Sequence, residues 1–439
     1  MQRNPIRSLS GSSATGRGRR LSRALALSAA AALVLGMTAA CGSGGSTSSK
    51  GITITTFGEF GYDALIKEWN KDHANDPSLQ VTQKKVSQWD DWKAEINTDL
   101  QAGSGLPDVV AVEGDYEPAL RTHPQPWVNL DQPAVKGRWL KYMSDDATTS
   151  NGQLIGYATD TGPEAICYNA ALFKKAGLPT DRNAVAKLMT TWDAYFKLGE
   201  KFHKKIPNAA WYDASGSIAQ AMLNQVRYPF GTENNKVDVT NPQLKNVYNT
   251  VVSHEDLSTK VPQWGADWTN DFKNGTVATV PCPGWMRANI KTNTGDPEPS
   301  NSSWDIADAF PGGAGNWGGS YLMIPKMSPH QKAAEQFITW ITDPAQTARV
   351  FETVGNFPSQ VGAYTNPTLL ANKDSYFNDA PAGKIYSDRA KAIKMQPYHG
   401  PQYSDILQAF QNALNRVDTG TSASASWSTF LSDVKALQG

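Results

Sequence analysis

Histidine and cysteine are scarce in this chain, with six and three among 439 residues. Neither His-Glu-x-x-His nor Cys-x-x-Cys spacing occurs, so the common zinc signatures are missing. There is no Gly-x-Ser-x-Gly, the sequence of a nucleophile elbow. Gly313-Ala314-Gly315-Asn316-Trp317-Gly318 has dinucleotide-loop spacing, but it follows no strand and leads into a strand, where that loop opens a helix. No metal and no cofactor is therefore expected. Beyond residue 40 no apolar run is long enough to span a bilayer. Charge of one sign is lacking too: 41 basic residues face 41 acidic ones. The first 40 residues hold six arginines and no acid, which leaves 35 against 41 in the remainder. Such a balance gives no basic face for a nucleic-acid partner. No internal repeat is visible.

What is present begins at the amino end. Arg17, Arg19, Arg20 and Arg23 precede an apolar run over residues 24–40, and small residues lead to Cys41. A basic region, a short apolar region and small residues before a cysteine read as a lipoprotein-type export signal. Cleavage before Cys41 and lipid on its thiol would follow. Gly42-Ser43-Gly44-Gly45-Ser46-Thr47-Ser48-Ser49 is too polar and glycine-rich to fold, and reads as a tether. The expectation is a signal over 1–40, a tether over 41–50, and an extracytoplasmic protein anchored to the outer face of the membrane. With Cys41 lipidated, Cys167 and Cys282 remain. One disulfide and two buried thiols are both compatible with an even remainder.

The next 390 or so residues exceed what one core accommodates, so two lobes are expected. Gly51–Phe57 alternates and is β-branched, which predicts a strand. Residues 62–73 carry helical periodicity, 79–86 a second strand, 92–102 a helix, and 107–112 a continuous apolar strand. This order predicts an α/β opening with a parallel sheet. Ligands in such sheets bind at the carboxyl ends of strands. That rule gathers Gly58-Glu59-Phe60, Ser87-Gln88-Trp89 and Glu113-Gly114-Asp115-Tyr116 at one rim. Helices are expected over 170–176, 192–204, 217–228, 241–252, 329–341, 403–417 and 427–437, and strands over 276–281 and 320–325.

Tryptophan is abundant, with 14 in the chain. Trp89, Trp211, Trp264, Trp285 and Trp317 sit beside Gly, Pro or polar residues, outside apolar periodic runs. Aromatics in that context mark binding surfaces more often than core.

The motifs then line up with a family. Gly103-Ser104-Gly105-Leu106-Pro107-Asp108-Val109-Val110 resembles the glycine-then-Pro-Asp strand of extracellular solute-binding proteins of sugar ABC importers. Asn151-Gly152-Gln153-Leu154-Ile155-Gly156-Tyr157, Asp160-Thr161-Gly162-Pro163 and Tyr168-Asn169 are similar to its crossover between lobes. Thr191-Trp192-Asp193, Phe272-Lys273-Asn274-Gly275-Thr276 with Gly284-Trp285, and Gly318-Gly319-Ser320 followed by Asp343-Pro344 match later stations in the same order. The resemblance spans about residues 50–439. Details such as Ala165-Ile166-Cys167-Tyr168 and Leu178-Pro179-Thr180-Asp181-Arg182 look nearest to cellobiose- and xylobiose-type binding lipoproteins.

The resemblance implies an α/β, two-lobe, periplasmic-binding-protein-like fold of type II with the ligand cleft between lobes. The first lobe is expected over 51–160 and 317–380, and the second over 161–316 and 381–439, with hinges near 157–163, 316–320 and 376–389. It implies a monomer that captures an oligosaccharide, probed first as a β-linked cello- or xylo-type sugar, and delivers it to ABC permease subunits. Sugars present C–H faces to flat aromatics and hydroxyl edges to planar polar groups. The implied contacts are Glu59, Phe60, Trp89, Asp115, Asp160, Thr161, Trp211, Trp285 and Trp317. Asp115 could instead cap a helix, Trp285 could be core, and Asp160 and Thr161 fit hinge or ligand roles. Two readings compete: a secreted glycoside-acting enzyme using a carboxylate pair, and an importer protein for another sugar class such as α-glucosides or chito-oligosaccharides. No catalytic residue is assigned.

Overall fold

The computed structural model describes residues 51–296 and 298–438; the proposed signal, the tether and Cys41 lie outside them. Nine strands form one continuous sheet. They are β1 (Ile52–Phe57), β2 (Val81–Val86), β3 (Val109–Glu113), β4 (Tyr157–Asn169), β5 (Ala210–Tyr212), β6 (Val277–Pro283), β7 (Trp304–Ala307), β8 (Asn316–Met323) and β9 (Phe357–Pro358). The order is β2-β1-β3-β8-β4-β6-β5, with β7 and β9 also pairing β4. β1, β2 and β3 are parallel, as the alternating strand and helix patterns predict. β8 joins β3 antiparallel and carries the sheet across to β4.

β4 is the structural axis. All thirteen of its residues are buried, and at about 3.3 Å per residue it reaches across both halves of the sheet. Its first half pairs β8, with register shifts between Ala158 and Asp160 and between Thr161 and Pro163. Its second half leaves β8 and pairs β6 and β7. Sequence patterning read these residues as a crossover; the structure makes that crossover a strand. The register shifts fall where the chain changes partners, the usual place for a bulge to bend a strand.

Three apolar clusters form on this axis. One gathers Ile54, Trp92, Val110, Trp127, Tyr157, Leu322 and Phe337, from β1, β3, β8 and their helices. A second gathers Phe173, Tyr195, Phe202, Trp211, Tyr248 and the helices Tyr403–Asp418 and Ala423–Leu437. A third joins Cys167, Trp268, Cys282 and Met286 to Phe351, Phe357, Phe377 and Tyr386. The segment 317–380 therefore feeds two clusters: Tyr321–Ile341 residues enter the first, and Phe351–Ala380 residues the third. Tyr376, Ile385 and Tyr386, near the third anticipated hinge, are core residues of the third cluster.

Cys167 on β4 and Cys282 on β6 form a disulfide with Cα atoms 5.4 Å apart. Ala165 is the register partner of Cys282, and Cys167 that of Val280. The bond therefore crosses two adjacent strands that only tertiary pairing brings together. Among the described residues no helix is long and apolar enough to cross a membrane.

Candidate functional site

The expected rim forms where β1, β2 and β3 end. Trp89 opens the helix Trp89–Ala102. Its half-buried ring lies 4.8 Å from Phe57 and 5.7 Å from Tyr116. Phe60 is buried, packed 5.2 Å from Phe57 and 5.4 Å from Tyr62. It supports the rim from beneath. Glu59 is exposed and charge-paired: its carboxylate accepts from Gly61 N at 2.8 Å and lies 3.1 Å from Lys85 Nζ.

β8 connects this rim to the rest. Glu113 and Asp160 both pair with Ser320 in their strand registers, one on each side of β8. Gly114 N donates to Gly319 O at 2.8 Å. Asp160 is buried, takes a hydrogen bond from Thr159 Oγ1 at 2.7 Å, and is pushed up by burial to about 6. Thr161 Oγ1 lies 2.6 Å from both Tyr142 OH and Asn316 Oδ1. Asn316 Oδ1 also accepts from Gly162 N at 2.8 Å. One amide thus ties the two crossover strands. Thr161 has no exposed surface, so its hydroxyl serves this tie.

An aromatic wall follows. Trp285, in the turn after β6, donates from Nε1 to the Trp317 carbonyl at 3.1 Å. The two rings stand at 85° with centroids 5.5 Å apart. Trp264, 46% exposed, lies 6.0 Å from Trp285 and 5.0 Å from Trp268. Its backbone sits at φ 72°, a left-handed conformation unusual for a bulky residue. The buried Asp213 supports that loop, accepting from Gln263 Nε2 at 2.8 Å and Trp268 Nε1 at 2.9 Å. The wall therefore presents an exposed indole followed by a half-buried one, ending at Trp317, which is 8% exposed.

Trp211 is elsewhere. It has no exposed surface and packs among Phe173 at 5.5 Å, Tyr195 at 5.3 Å and Phe202 at 5.5 Å. The expectation that it lines a cleft is corrected on this geometry: both ring faces are taken by the second cluster. Its loop-like neighbours in sequence are strand β5 and the start of an apolar-facing helix.

A polar wall, which sequence reasoning did not assemble, stands opposite the rim acids. His399 Nδ1 lies 3.4 Å from Asp115 Oδ1. The His399 ring stacks on Tyr403 with centroids 3.7 Å apart. Tyr403 OH is 3.5 Å from Gln220 Nε2, which donates to Asn224 Oδ1 at 2.9 Å. Asn224 Nδ2 donates to Glu164 Oε2 at 3.0 Å. Glu164 is fully buried one residue beyond Pro163, with its N–H on Gly315 O at 3.0 Å. Glu164 Oε1, Gln220 Oε1 and His399 Nε2 are buried and have no partner. Unpaired buried polar atoms are costly and call for a partner the protein does not itself supply.

Burial governs the titration of this region. It pushes Glu164 far above the carboxylate range, against the Asn224 hydrogen bond that lowers it. Burial also raises Glu113 and Asp115, and the Asp115 and Asp90 carboxylates push Glu113 up further. Burial, with the nearby Arg121 charge, holds His399 down to about 3. His399 is thus neutral at physiological pH and offers one donor and one acceptor. A signal for Glu164 existed: it is a lone acid inside an otherwise apolar run that follows Gly162-Pro163. His399 gave none, because the segment 393–402 carries no regular structure and no periodic pattern. Among the described residues no group of His, Cys, Asp and Glu has the arrangement of a metal site.

With this geometry in place, the chain can be set beside known proteins. A family model described as a bacterial extracellular solute-binding protein matches residues 64–378. The chain belongs to this family. One solved structure, described as extracellular solute-binding protein family 1, is 39% identical with a TM-score of 0.77, covering 88% of this chain and 99% of that one. The arabinooligosaccharide-binding protein of Bacillus subtilis (strain 168) is 24% identical over 320 residues, 69% of this chain and 72% of that protein. The ABC-transporter binding protein of B. animalis subsp. lactis Bl-04, solved with β-1,6-galactobiose, shares the fold at a TM-score of 0.73 and 20% identity, covering 88% of this chain and 96% of that one. The family is one of binding proteins that work outside the cytoplasm, and the α/β two-lobe fold is theirs.

Proposed function

We propose that this family member captures a short oligosaccharide outside the cytoplasm and hands it to the permease of an ABC importer. The observation that carries the reading is the meeting, along β8, of an aromatic wall with buried polar atoms that lack partners. Indole faces suit the C–H faces of pyranose or furanose rings, and unpaired carboxylate, amide and imidazole groups suit their hydroxyl edges. The named sugar of the Bacillus subtilis relative and the galactobiose of the bifidobacterial one support a carbohydrate ligand. The sequence resemblance favours a β-linked cello- or xylo-type sugar, with arabino- and galacto-oligosaccharides as the next classes. The protein acts without catalysis, as a monomer, and is held to the membrane by lipid on Cys41.

The first cluster defines one lobe, and the second and third together the other, with β4 and β8 as the crossing strands. Asp115, Glu113 and Trp89 belong to the first lobe; Glu164, Trp285 and His399 belong to the second. Closure around a sugar brings the two sets together, as in other hinged binding proteins.

A thermal-shift and calorimetric screen tests this reading. The panel is cellobiose, xylobiose, 1,5-arabinotriose, β-1,6-galactobiose, maltose and chitobiose. A ligand that binds only the native state raises the melting temperature by mass action. At least one β-linked member should do so and should be recovered unhydrolysed. No shift with any sugar, or turnover of one, refutes it.

A further inference from the structure

The polar wall also constrains the charge of the ligand. From the rim side come Glu113 and Asp115, with Asp90 and Lys93 close enough to shift Glu113. From β4 comes Glu164, buried with one oxygen unpaired. From the segment before the helix Tyr403–Asp418 comes neutral His399. Tyr403 lies among them and feels Asp115, Glu113 and Glu164 together. Asp115 and Glu164 thus reach the two ends of one run of polar side chains, with Glu113 close to Asp115.

The cations beside these walls are already taken. Lys93 Nζ lies 2.7 Å from Asp405 and over the Tyr116 ring at 4.8 Å. Arg121 Nε lies 3.4 Å from the fully buried Glu117. Arg287, two residues after Trp285, pairs with Asp374 and lies over Phe351 at 4.7 Å. Arg389 Nε lies 2.8 Å from Asp308. At pH 8 a carboxylate entering here would meet Asp115, raised only to about 7 and so ionised, while Lys93, Arg121, Arg287 and Arg389 are already paired. Burying an unpaired charge is costly, and at a few ångströms a like charge adds to that cost. A hydroxyl, by contrast, donates to these same oxygens.

Resting on the oligosaccharide reading above, we infer that the Asp115–His399–Glu164 pocket selects neutral sugars and excludes those bearing a uronic acid at this end. Discrimination by an unpayable charge works against the wrong ligand without strengthening the right one. The raised protonation of Glu113, Asp115 and Glu164 points the same way, since these sites already resist carrying their own negative charge. Lowering the pH to 5 protonates Glu113 and Asp115, whose values are raised to about 8 and about 7, while a uronic acid stays ionised, so the like-charge part of the discrimination should be lost.

The test compares matched sugars by calorimetry on the purified protein. Cellobiose and xylotriose are each set against a counterpart carrying a glucuronic acid residue and against the methyl ester of that acid; 1,5-arabinotriose serves as a further neutral probe. At pH 8 the acid should bind at least a hundredfold more weakly than its ester, which is about 2.8 kcal/mol. The bulkier ester should stay within tenfold of the neutral sugar, which removes size as the cause. The gap should narrow at least fivefold at pH 5, and in Asp115→Asn at pH 8. Equal binding of acid and ester, or binding of acids alone, overturns this inference while leaving the sugar reading intact. Failure of every probe to bind overturns both.

Discussion

Trp285 Nε1 donates to the main-chain carbonyl of Trp317 at 3.1 Å, with the two rings at 85°. The bond runs from the turn after β6 to the crossing strand β8. It orients a half-buried indole through its polar edge and leaves the ring faces to other contacts, among them Trp264 at 6.0 Å. In Trp285→Ala, sugar affinity should fall more than tenfold, about 1.4 kcal/mol, within the range of an aromatic contact. Trp285→Phe should fall between the two, since it keeps an aromatic face but loses the donor. Calorimetry with the sugar found in the screen checks this; unchanged affinity in Trp285→Ala would make the indole a packing element.

Trp211 supplies the contrast. Its removal leaves a cavity among Phe173, Tyr195 and Phe202. Trp211→Ala should cost roughly 3–5 kcal/mol of stability, read from the urea midpoint. Affinity of the folded fraction should stay within a few-fold of wild type.

Gly162 tests the crossing strands. A Cβ built there would lie 1.8 Å from the Trp317 carbonyl oxygen and 3.2 Å from Trp285 Nε1. Backbone cannot yield as a side-chain end does, so Gly162→Ala should push β8 from β4 and weaken sugar binding at least tenfold. It should also lower the melting temperature. Gly152→Ala, where the chain turns at φ 82° with nothing within 4 Å, controls for backbone strain alone and should leave affinity unchanged.

The disulfide links residues 115 apart in sequence. Closing so long a loop restricts the unfolded chain, an effect of roughly 2–5 kcal/mol in this class. The double variant Cys167→Ala, Cys282→Ala should lose stability of that size by denaturant titration. Ligand affinity should hold, because both sulfurs are buried in the third cluster and neither is among the hydrogen-bond partners of the polar wall.

Stability should also fall as pH rises. Asp160 is raised to about 6 and Asp115 to about 7 by burial, and Glu113 to about 8 by burial and the nearby Asp115. Unfolded carboxylates titrate near about 4. Above that pH the folded state holds more protons than the unfolded one, so unfolding free energy decreases with pH. The loss should begin near pH 4, continue through about pH 6 as Asp160 ionises, and extend higher as the Glu113–Asp115 pair does. Melting temperatures from pH 4.5 to 8.5 check the slope, and Asp115→Asn should flatten its upper part.

The sequence by itself determined the local elements. Alternation over 52–57 and the apolar run at 109–112 made strands, and four-residue apolar spacing made the helices Gln331–Ile341 and Tyr403–Asp418. These are properties of neighbours along the chain, and neighbours are what a sequence displays. The rim could be anticipated as well, because parallel strands end together: Trp89 does meet Tyr116. Tertiary structure alone decided the rest. Trp211 and Trp285 have similar local surroundings, yet one is enclosed by rings contributed from residues 173, 195 and 202 while the other stands beside Trp264 and Trp317. Glu164 and His399 are 235 positions apart and join one polar wall only through Asn224, Gln220 and Tyr403. Burial depends on what arrives from afar, and it is burial that turns an ordinary acid and an ordinary imidazole into groups without partners.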